Sequence, residues 1–211
     1  MLKTVLFDLD GTLIDSIPLI RASFIHTFKQ LGIPWGKGEV LGTIGLPLRD
    51  VAKHYAPGNE ELFLEVYANY QRQVQEEMLH PFPGAIDSLV QIRKKGYLIG
   101  VVTSKRRKPT RESLEITGLT DFMDVVVTVE DIKQPKPHPD GILSALKQLS
   151  VPPAEAVYIG DSIYDIMTGK NAGTATIGVT WGIAAKKDLA NQHPDFLVDT
   201  WDELITALEK L

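Results

Sequence analysis

The ten residues Thr4 to Leu13, TVLFDLDGTL, constrain this chain more than any other stretch. Thr4 to Phe7 are β-branched or apolar, as in a strand buried on both faces, and such strands belong to parallel sheets. The run then breaks into Asp8, Leu9, Asp10, Gly11 and Thr12. Two carboxylates two residues apart project to the same side of an extended backbone, where they repel one another and lose hydration. A divalent cation between them relieves both costs. Gly11 permits a sharp turn and the close approach of a ligand, and Thr12 offers a hydroxyl and an amide to an oxyanion. Calcium loops share the D-x-D-G spacing, and a plain strand ending in a capped turn would also produce it. The choice therefore rests on the rest of the chain.

The segment directly after this strand is helical. Ile17, Ile20, Phe24, Phe28 and Leu31 fall at helical spacing, with Gly32 placed as a terminator. Asp15 or Ser16 can cap the start, and Pro18 is tolerated in the first turn. Gly32 to Pro47 is rich in glycine and proline and reads as loop. Leu48 to Ala56 reads as a short helix. Glu60 to about Leu79 reads as a longer one, with Phe63, Val66, Tyr67, Tyr70, Val74 and Met78 on one stripe, the pattern of helix-on-helix packing. Asp15 to about Pro81 is thus a helical block with no evident strand. Pro81-Phe82-Pro83-Gly84 punctuates the return.

Beyond it, strand-like runs alternate with helical ones. The strands are Tyr97 to Thr103, Asp124 to Val129, Ala156 to Ile159, Ala175 to Val179 and Phe196 to Val198. Between and around them lie helical stretches at Ala85 to Lys95, Pro109 to Thr117, Asp140 to Leu149, Ser162 to Ala172, Lys187 to Asn191 and Trp201 to Lys210. The alternation predicts an α/β fold, a doubly wound (Rossmann-like) parallel sheet covered on both faces. Residues 1–14 and 82–211 would form it, and residues 15–81 a small helical cap domain. Ligands of such sheets bind beyond the carboxyl ends of the strands, at the topological switch point.

Composition narrows the function classes. The chain has 211 residues, 44% hydrophobic and 23% charged, with net charge −5, which suits a globular core with a small insert. No apolar run approaches the roughly 18 residues that span a bilayer, and no signal peptide is visible, so no membrane partner is expected. With no cysteine there is no disulfide and no thiolate metal site, which fits a cytoplasmic location. Mild acidity argues against nucleic acid as a partner.

Four strand ends then supply chemistry to one rim: Asp8 and Asp10, Thr103-Ser104, Lys136 in the run Gln134-Pro135-Lys136-Pro137-His138-Pro139, and Gly160-Asp161-Ser162 with Asp165 four residues on. Each type has a task in phosphoryl transfer. A cation held by Asp8 and Asp161 screens the repulsion between a phosphate dianion and an attacking carboxylate. Asp8 is placed to attack, and Asp10 to protonate the leaving group and later activate water. Lys136 and the Thr103 hydroxyl can stabilise the equatorial oxygens. Asp165 can reach the metal's surroundings, or Lys136. Taken singly, Thr103 would be a strand-end cap, Lys136 a solvated lysine and Asp161 an N-cap; their joint order is what carries weight.

In order and context this set resembles the four motifs of the haloacid dehalogenase (HAD) superfamily over essentially the whole chain. The resemblance implies Asp8 as nucleophile, Asp10 as acid/base, and Thr103 and Lys136 as phosphate binders. It also implies Mg2+ held by Asp8, the Asp10 backbone carbonyl and Asp161, and a C1-type cap. The second aspartate, Asp10, is absent from the dehalogenases themselves and argues for phosphate chemistry. The stretches Thr43 to Asp50, Val102 to Lys105, Gly160 to Asp165 and Asn171-Ala172-Gly173 resemble those of phosphoglycolate phosphatases and PpaX-type pyrophosphatases. β-Phosphoglucomutases carry similar runs but usually an acidic pair where Gly160-Asp161 stands here.

Two basic features bear on the substrate. Arg49 comes after the Gly45-Leu46-Pro47 turn, where a guanidinium suits a carboxylate or second phosphate. Lys105-Arg106-Arg107-Lys108 precedes a helix N-terminus, where positive charge opposes the dipole, so an anion nearby is expected and Lys105 is its candidate ligand. Gly11, Thr12, Ser104, Arg49 and Lys105 are accordingly the expected substrate contacts, and the expected partner is a small anionic phosphorylated metabolite, the protein being a monomer or homodimer. A phosphate-accepting receiver domain is the rival from another class; it would not need the helical insert, and Asp10 would shorten the life of its phosphoryl group. His26, Trp35, Tyr67, Tyr70 and Trp181 are expected to serve packing.

Overall fold

The computed structural model describes residues 2–211. The chain opens with β1 (Thr4–Phe7) and the two-residue β2 (Ile14–Asp15), passes through α1 (Ile17–Leu31), α2 (Leu48–Tyr55) and α3 (Glu60–Met78), and returns at β3 (His80–Pro81). Helices and strands then alternate: α4 (Ala85–Lys94), β4 (Leu98–Val102), α5 (Arg107–Ile116), β5 (Val125–Val127), α6 (Asp140–Leu149), β6 (Ala156–Gly160), α7 (Ile163–Ala172), β7 (Ala175–Val179), α8 (Lys186–Ala190), β8 (Phe196–Val198) and α9 (Trp201–Leu208).

Six strands form one parallel sheet in the order β5-β4-β1-β6-β7-β8. The chain starts at the centre, winds outward through β4 and β5, and crosses back to β6, so the order reverses between β1 and β6. In register, Phe7 lies opposite both Val101 and Ile159. The residues just past the ends of these strands therefore emerge side by side at the switch point. Both faces are covered, and side-chain alternation divides the core in two. Val5, Phe7, Ile99, Val101, Val157 and Ile159 pack to one side with α4 and α9. Leu6, Val102, Val125, Val127 and Tyr158 pack to the other with Ile142, Ala145 and Leu146 of α6.

The helices between β2 and β3 gather around a third, separate core of Ile20, Phe24, Phe28, Val51, Phe63 and Tyr67. It is rich in aromatic contacts: Phe24 meets Tyr67 with ring centroids 5.1 Å apart, and Phe28 meets Phe63 at 6.1 Å in an edge-to-face pair. His26 stacks on Tyr70 at 4.4 Å and Trp35 packs on Phe28, so both serve packing, as expected.

The structure departs from the sequence reading in four local respects. The insert is not free of strand: Ile14–Asp15 pairs antiparallel with His80–Pro81 and forms a neck where the chain leaves and re-enters the sheet domain. Two residues a side are too few for alternation to register. The Gly32–Pro47 loop contains a short 3-10 turn at Glu39–Thr43. Ser16 is the N-cap of α1, but its backbone lies in the helical region and its hydroxyl makes no capping bond, because that bond needs an extended cap residue. Finally α5 begins at Arg107, not Pro109; Pro109 sits within the first turn, where its missing N–H costs nothing.

Candidate active site

The rim at the switch point is a nest of buried charge. Asp8 continues the β1 ladder by one bond, its amide donating to Ile159 O at 2.8 Å. Its side chain is held by Lys136, whose Nζ donates to Asp8 Oδ1 and to Asp165 Oδ1, both at 2.7 Å. All three side chains are almost wholly buried. Lys136 also stands 5.2 Å from the ring centroid of Tyr158, whose hydroxyl donates to Val102 O at 2.8 Å. The lysine's loop is pinned from α7, where Asn171 Nδ2 donates to Pro137 O at 2.8 Å.

Asp161 comes directly after β6 and is gripped on both oxygens. Thr12 Oγ1 donates to Oδ1 at 2.9 Å and the Ile183 amide to Oδ2 at 2.7 Å. Two glycines make the grip possible. A Cβ on Gly11, which has φ +83°, would lie 2.3 Å from Asp161 Oδ2, and one on Gly182 would lie 2.2 Å from it. Asp165 closes the nest through a capping box on α7: its Oδ2 accepts from the Ser162 amide at 3.0 Å and the Ser162 hydroxyl at 2.6 Å. The same carboxylate explains Gly160, because a Cβ there would come within 2.3 Å of the Asp165 Cβ and Cγ.

Three carboxylates and one ammonium out of water are short of positive charge. Burial pushes the Asp8 carboxyl well above the ordinary carboxylate range, with Lys136 pulling against it and Asp165 and Asp161 adding to it. Asp161 is pushed up to about 7 by burial and then by Asp165, against the opposing hydrogen bonds from Ile183 and Thr12. Burial alone would lower the Lys136 pKa, but Asp165 and Asp8 outweigh it and hold the ammonium above its usual value. One oxygen from each of Asp8, Asp161 and Asp165 lies within 4.8 Å of the others. An all-oxygen, anionic, charge-deficient set of this kind suits a hard divalent cation.

A cavity of about 640 Å³ opens in front of this nest, between the sheet rim and the inserted helices. Asp8, Asp10, Thr103, Ser104 and Lys105 line one wall; Phe24, Ile44, Leu64 and Tyr67 line the other. Asp10 lies outside the buried nest, with Lys105 Nζ on its Oδ1 at 2.9 Å. The two motif aspartates thus share the cavity but not their surroundings. Thr103 Oγ1 accepts from the Lys105 amide at 3.2 Å.

The structure redistributes several expected substrate contacts. Thr12 is fully buried and its hydroxyl is committed to Asp161, while Gly11 supplies room for the same carboxylate, so both seat Asp161 rather than face an oxyanion. Ser104 donates to Gly45 O at 2.6 Å and so ties the sheet domain to the cap loop. Arg49 lines the cavity, but its guanidinium forks onto Glu61 at 2.6 and 3.3 Å. The anions expected near the basic run are the protein's own. Lys105 pairs with Asp10, Arg106 with Glu130, Arg107 with Asp131, and Lys108 with Glu112 at 3.9 Å. Glu130 and Asp131 belong to a turn after β5, far along the chain, which is why those cations look unpaired in the sequence.

Sequence reasoning missed Gly182 and Ile183, which act through an absent side chain and a backbone amide. It also missed Arg72, on the cavity face of α3. Among the described residues Arg72 has no carboxylate partner and is hydrogen-bonded only to Asn69. Its signal was its place five residues after Tyr67, on the face of α3 that carries Leu64, Ala68 and Gln75 to the cavity.

A parallel α/β sheet with this aspartate, threonine, lysine and aspartate sequence along its rim places the chain in the haloacid dehalogenase-like hydrolase family, whose profile matches residues 5–179. The chain is accordingly a hydrolase. Among its curated relatives, the pyrophosphatase PpaX of Bacillus velezensis is 37% identical over 202 residues, covering 95% of this chain and 94% of that protein. PpaX of Anoxybacillus flavithermus is 35% identical and covers 98% and 97%. A haloacid dehalogenase-like hydrolase from Streptococcus pneumoniae superposes with a TM-score of 0.85 at 27% identity, over 98% of both chains. A predicted phosphoglycolate phosphatase from Haemophilus somnus, at 22% identity and a TM-score of 0.88 over 98% of both chains, shares the fold. Among the described residues no helix is long and apolar enough to cross a membrane.

Proposed function

We propose that this chain is a Mg2+-dependent phosphatase that hydrolyses a small phosphorylated metabolite through an aspartyl-phosphate on Asp8. The observation that carries the reading is the contrast between two aspartates on one cavity. Asp8 is immobilised in the buried nest with one oxygen on Lys136, and its Oδ2 accepts no hydrogen bond among the described residues. Asp10 stands at the mouth, beside Lys105.

Asp8 and Asp161, with the Asp10 backbone carbonyl, would hold the magnesium ion, and Asp165 would stand behind them, since both its oxygens are engaged by Lys136 and Ser162. Bound there, the metal supplies the positive charge that offsets repulsion between a phosphate dianion and a carboxylate nucleophile. Asp8 Oδ2 forms a bond to phosphorus as the bond to the leaving oxygen breaks, and Asp10 gives that oxygen its proton. The ionised Asp10 then takes a proton from water as the water oxygen attacks phosphorus. The Asp8–phosphorus bond breaks and inorganic phosphate leaves. Lys136 holds Asp8 in line, and Thr103 offers its hydroxyl to an equatorial oxygen.

The substrate we favour is pyrophosphate, with phosphoglycolate second. Relatives named as pyrophosphatases cover nearly the whole chain, and Arg72 is a cavity cation that no carboxylate neutralises among the described residues. The test is steady-state phosphate release with Mg2+ from pyrophosphate, phosphoglycolate, a sugar phosphate and a nucleotide, beside an Asp8→Asn control. A preferred dianion with an inactive control is expected. Stable phosphorylation of Asp8 without turnover would replace the enzyme by a switch.

A further inference from the structure

The loop after β7, Thr180 to Ala184, plays no part in the chemistry above, yet three of its residues meet Asp161. The Ile183 amide donates to Asp161 Oδ2 at 2.7 Å, and the Ala184 amide donates to the Asp161 backbone carbonyl at 3.2 Å. Gly182 comes so close to the Asp161 side chain that no side chain of its own would fit. The other oxygen, Oδ1, belongs to a different loop, through the Thr12 hydroxyl at 2.9 Å. Asp161 is therefore suspended between two loops that lie 169 residues apart along the chain and are bridged by a hydrogen bond from Trp181 Nε1 to Thr12 O at 3.0 Å. The indole that makes this bridge is clamped. It packs on Trp201 with ring centroids 4.8 Å apart and meets Phe82, just past the neck, at 6.4 Å.

We propose that Trp181 is a positioning residue for the metal site, its indole N–H locking together the two loops that aim the Asp161 carboxylate. The inference rests on the reading of Asp161 as a metal-holding residue. A carboxylate that binds a hard cation gains affinity when its rotamer and its outer hydrogen bonds are fixed beforehand, and loss of such an outer partner costs about 10- to 100-fold in metal affinity. Without the indole N–H the Thr12 carbonyl loses its donor, and Thr12 is free to shift with its hydroxyl, carrying Oδ1 with it. Ile183 adds a second connection, since its side chain packs against the core of the inserted helices while its amide holds Asp161.

The test is direct titration of the substrate-free protein with Mg2+ by calorimetry, in wild type, Trp181→Phe and Trp201→Phe. Trp181→Phe keeps an aromatic ring in the stack and removes the N–H. Trp201→Phe imposes a similar packing loss and leaves the Trp181 bond in place. The expected result is a Kd for Mg2+ raised about tenfold or more in Trp181→Phe only. Equal weakening in both variants would reduce Trp181 to a packing residue and overturn the proposal, as would an unchanged Kd in Trp181→Phe. If the wild type took up no Mg2+ while still releasing phosphate, the metal reading would fall together with this one, and the phosphatase reading would stand.

Discussion

The two walls of the cavity are built on opposite principles. The sheet wall is charged, buried and over-determined: Asp8 follows β1, Lys136 lies in the loop after β5, Asp161 and Asp165 follow β6, and hydrogen bonds fix each one. The cap wall is mostly apolar and carried by helices that have their own core; the Ser104–Gly45 hydrogen bond ties it to the opposite wall. Where the sheet wall depends on Lys136 to balance buried carboxylates, the cap wall can change residue by residue without disturbing the charge nest. On the function proposed above, chemistry would belong to the charged wall and substrate selection to the apolar one.

The comparison breaks most visibly at Asp8. Asp8→Asn keeps the shape and removes the proposed nucleophile, so kcat is expected to fall by about 10⁴-fold or more, with thermal stability near that of the wild type; measurable turnover by the variant would move the nucleophile elsewhere. Next is Lys136→Met, which leaves Asp8 and Asp165 buried without their cation. Breaking a buried pair from one side costs about 3–5 kcal/mol, to be read by urea unfolding. On the cap wall, Arg49→Ala removes an exposed pair with Glu61 and should leave the urea midpoint unmoved. If both variants unfolded alike, the contrast between the walls would be lost.

A smaller effect is expected at Asp161. Its pKa rises from the ordinary 3.8 to about 7 on folding, so between those values the folded protein binds the proton more tightly than the unfolded chain. Metal-free protein therefore loses stability from this group as pH rises through that window, and the cost is complete above it. Mg2+ held as proposed would take the ionised form and should reverse the loss. The difference in Tm with and without Mg2+ is expected to widen from about pH 5 to about pH 8, by about 2–4 °C for each kcal/mol. A difference that narrowed over the same range would contradict the assignment. The smallest expected change is at Arg72: Arg72→Ala should raise KM for pyrophosphate about tenfold, the loss of one charge-assisted contact, and leave kcat/KM for a phosphate ester with a neutral leaving group unchanged. Equal effects on both substrates would remove Arg72 from the recognition of a second anion.

Most of the sheet wall was legible from the sequence because its signals are local. An apolar run ending in Asp8, another in Thr103 and another in Gly160-Asp161 each announce a strand end within ten residues, and alternation with helices puts the ends on one rim. Lys136 was legible by its order among them. Contacts made by backbone or by absence escaped. Nothing in Trp181-Gly182-Ile183 marks an amide that grips a carboxylate, and nothing in Gly160 shows that Asp165 fills the space a side chain would need. The basic run was misleading for a related reason, since its partners Glu130 and Asp131 reach it only through the β4–β5 crossover. Arg49 was expected to be free for an anion, and Glu61, one helix further on, engages it.

The pairing of β1 also sets an order of events for a chain that emerges from the ribosome from its N-terminal end. Thr4 to Phe7 wait for Leu98 to Val101 on one side and for Ala156 to Ile159 on the other. The aromatic cluster of α1 to α3, by contrast, closes within a few dozen residues. Contacts close in sequence form early and distant ones late. The inserted helices can therefore condense while β1, every residue of which is buried in the finished fold, is still unpartnered. The helical insert is made first, and the buried charge nest is complete only once Asp165 has been added.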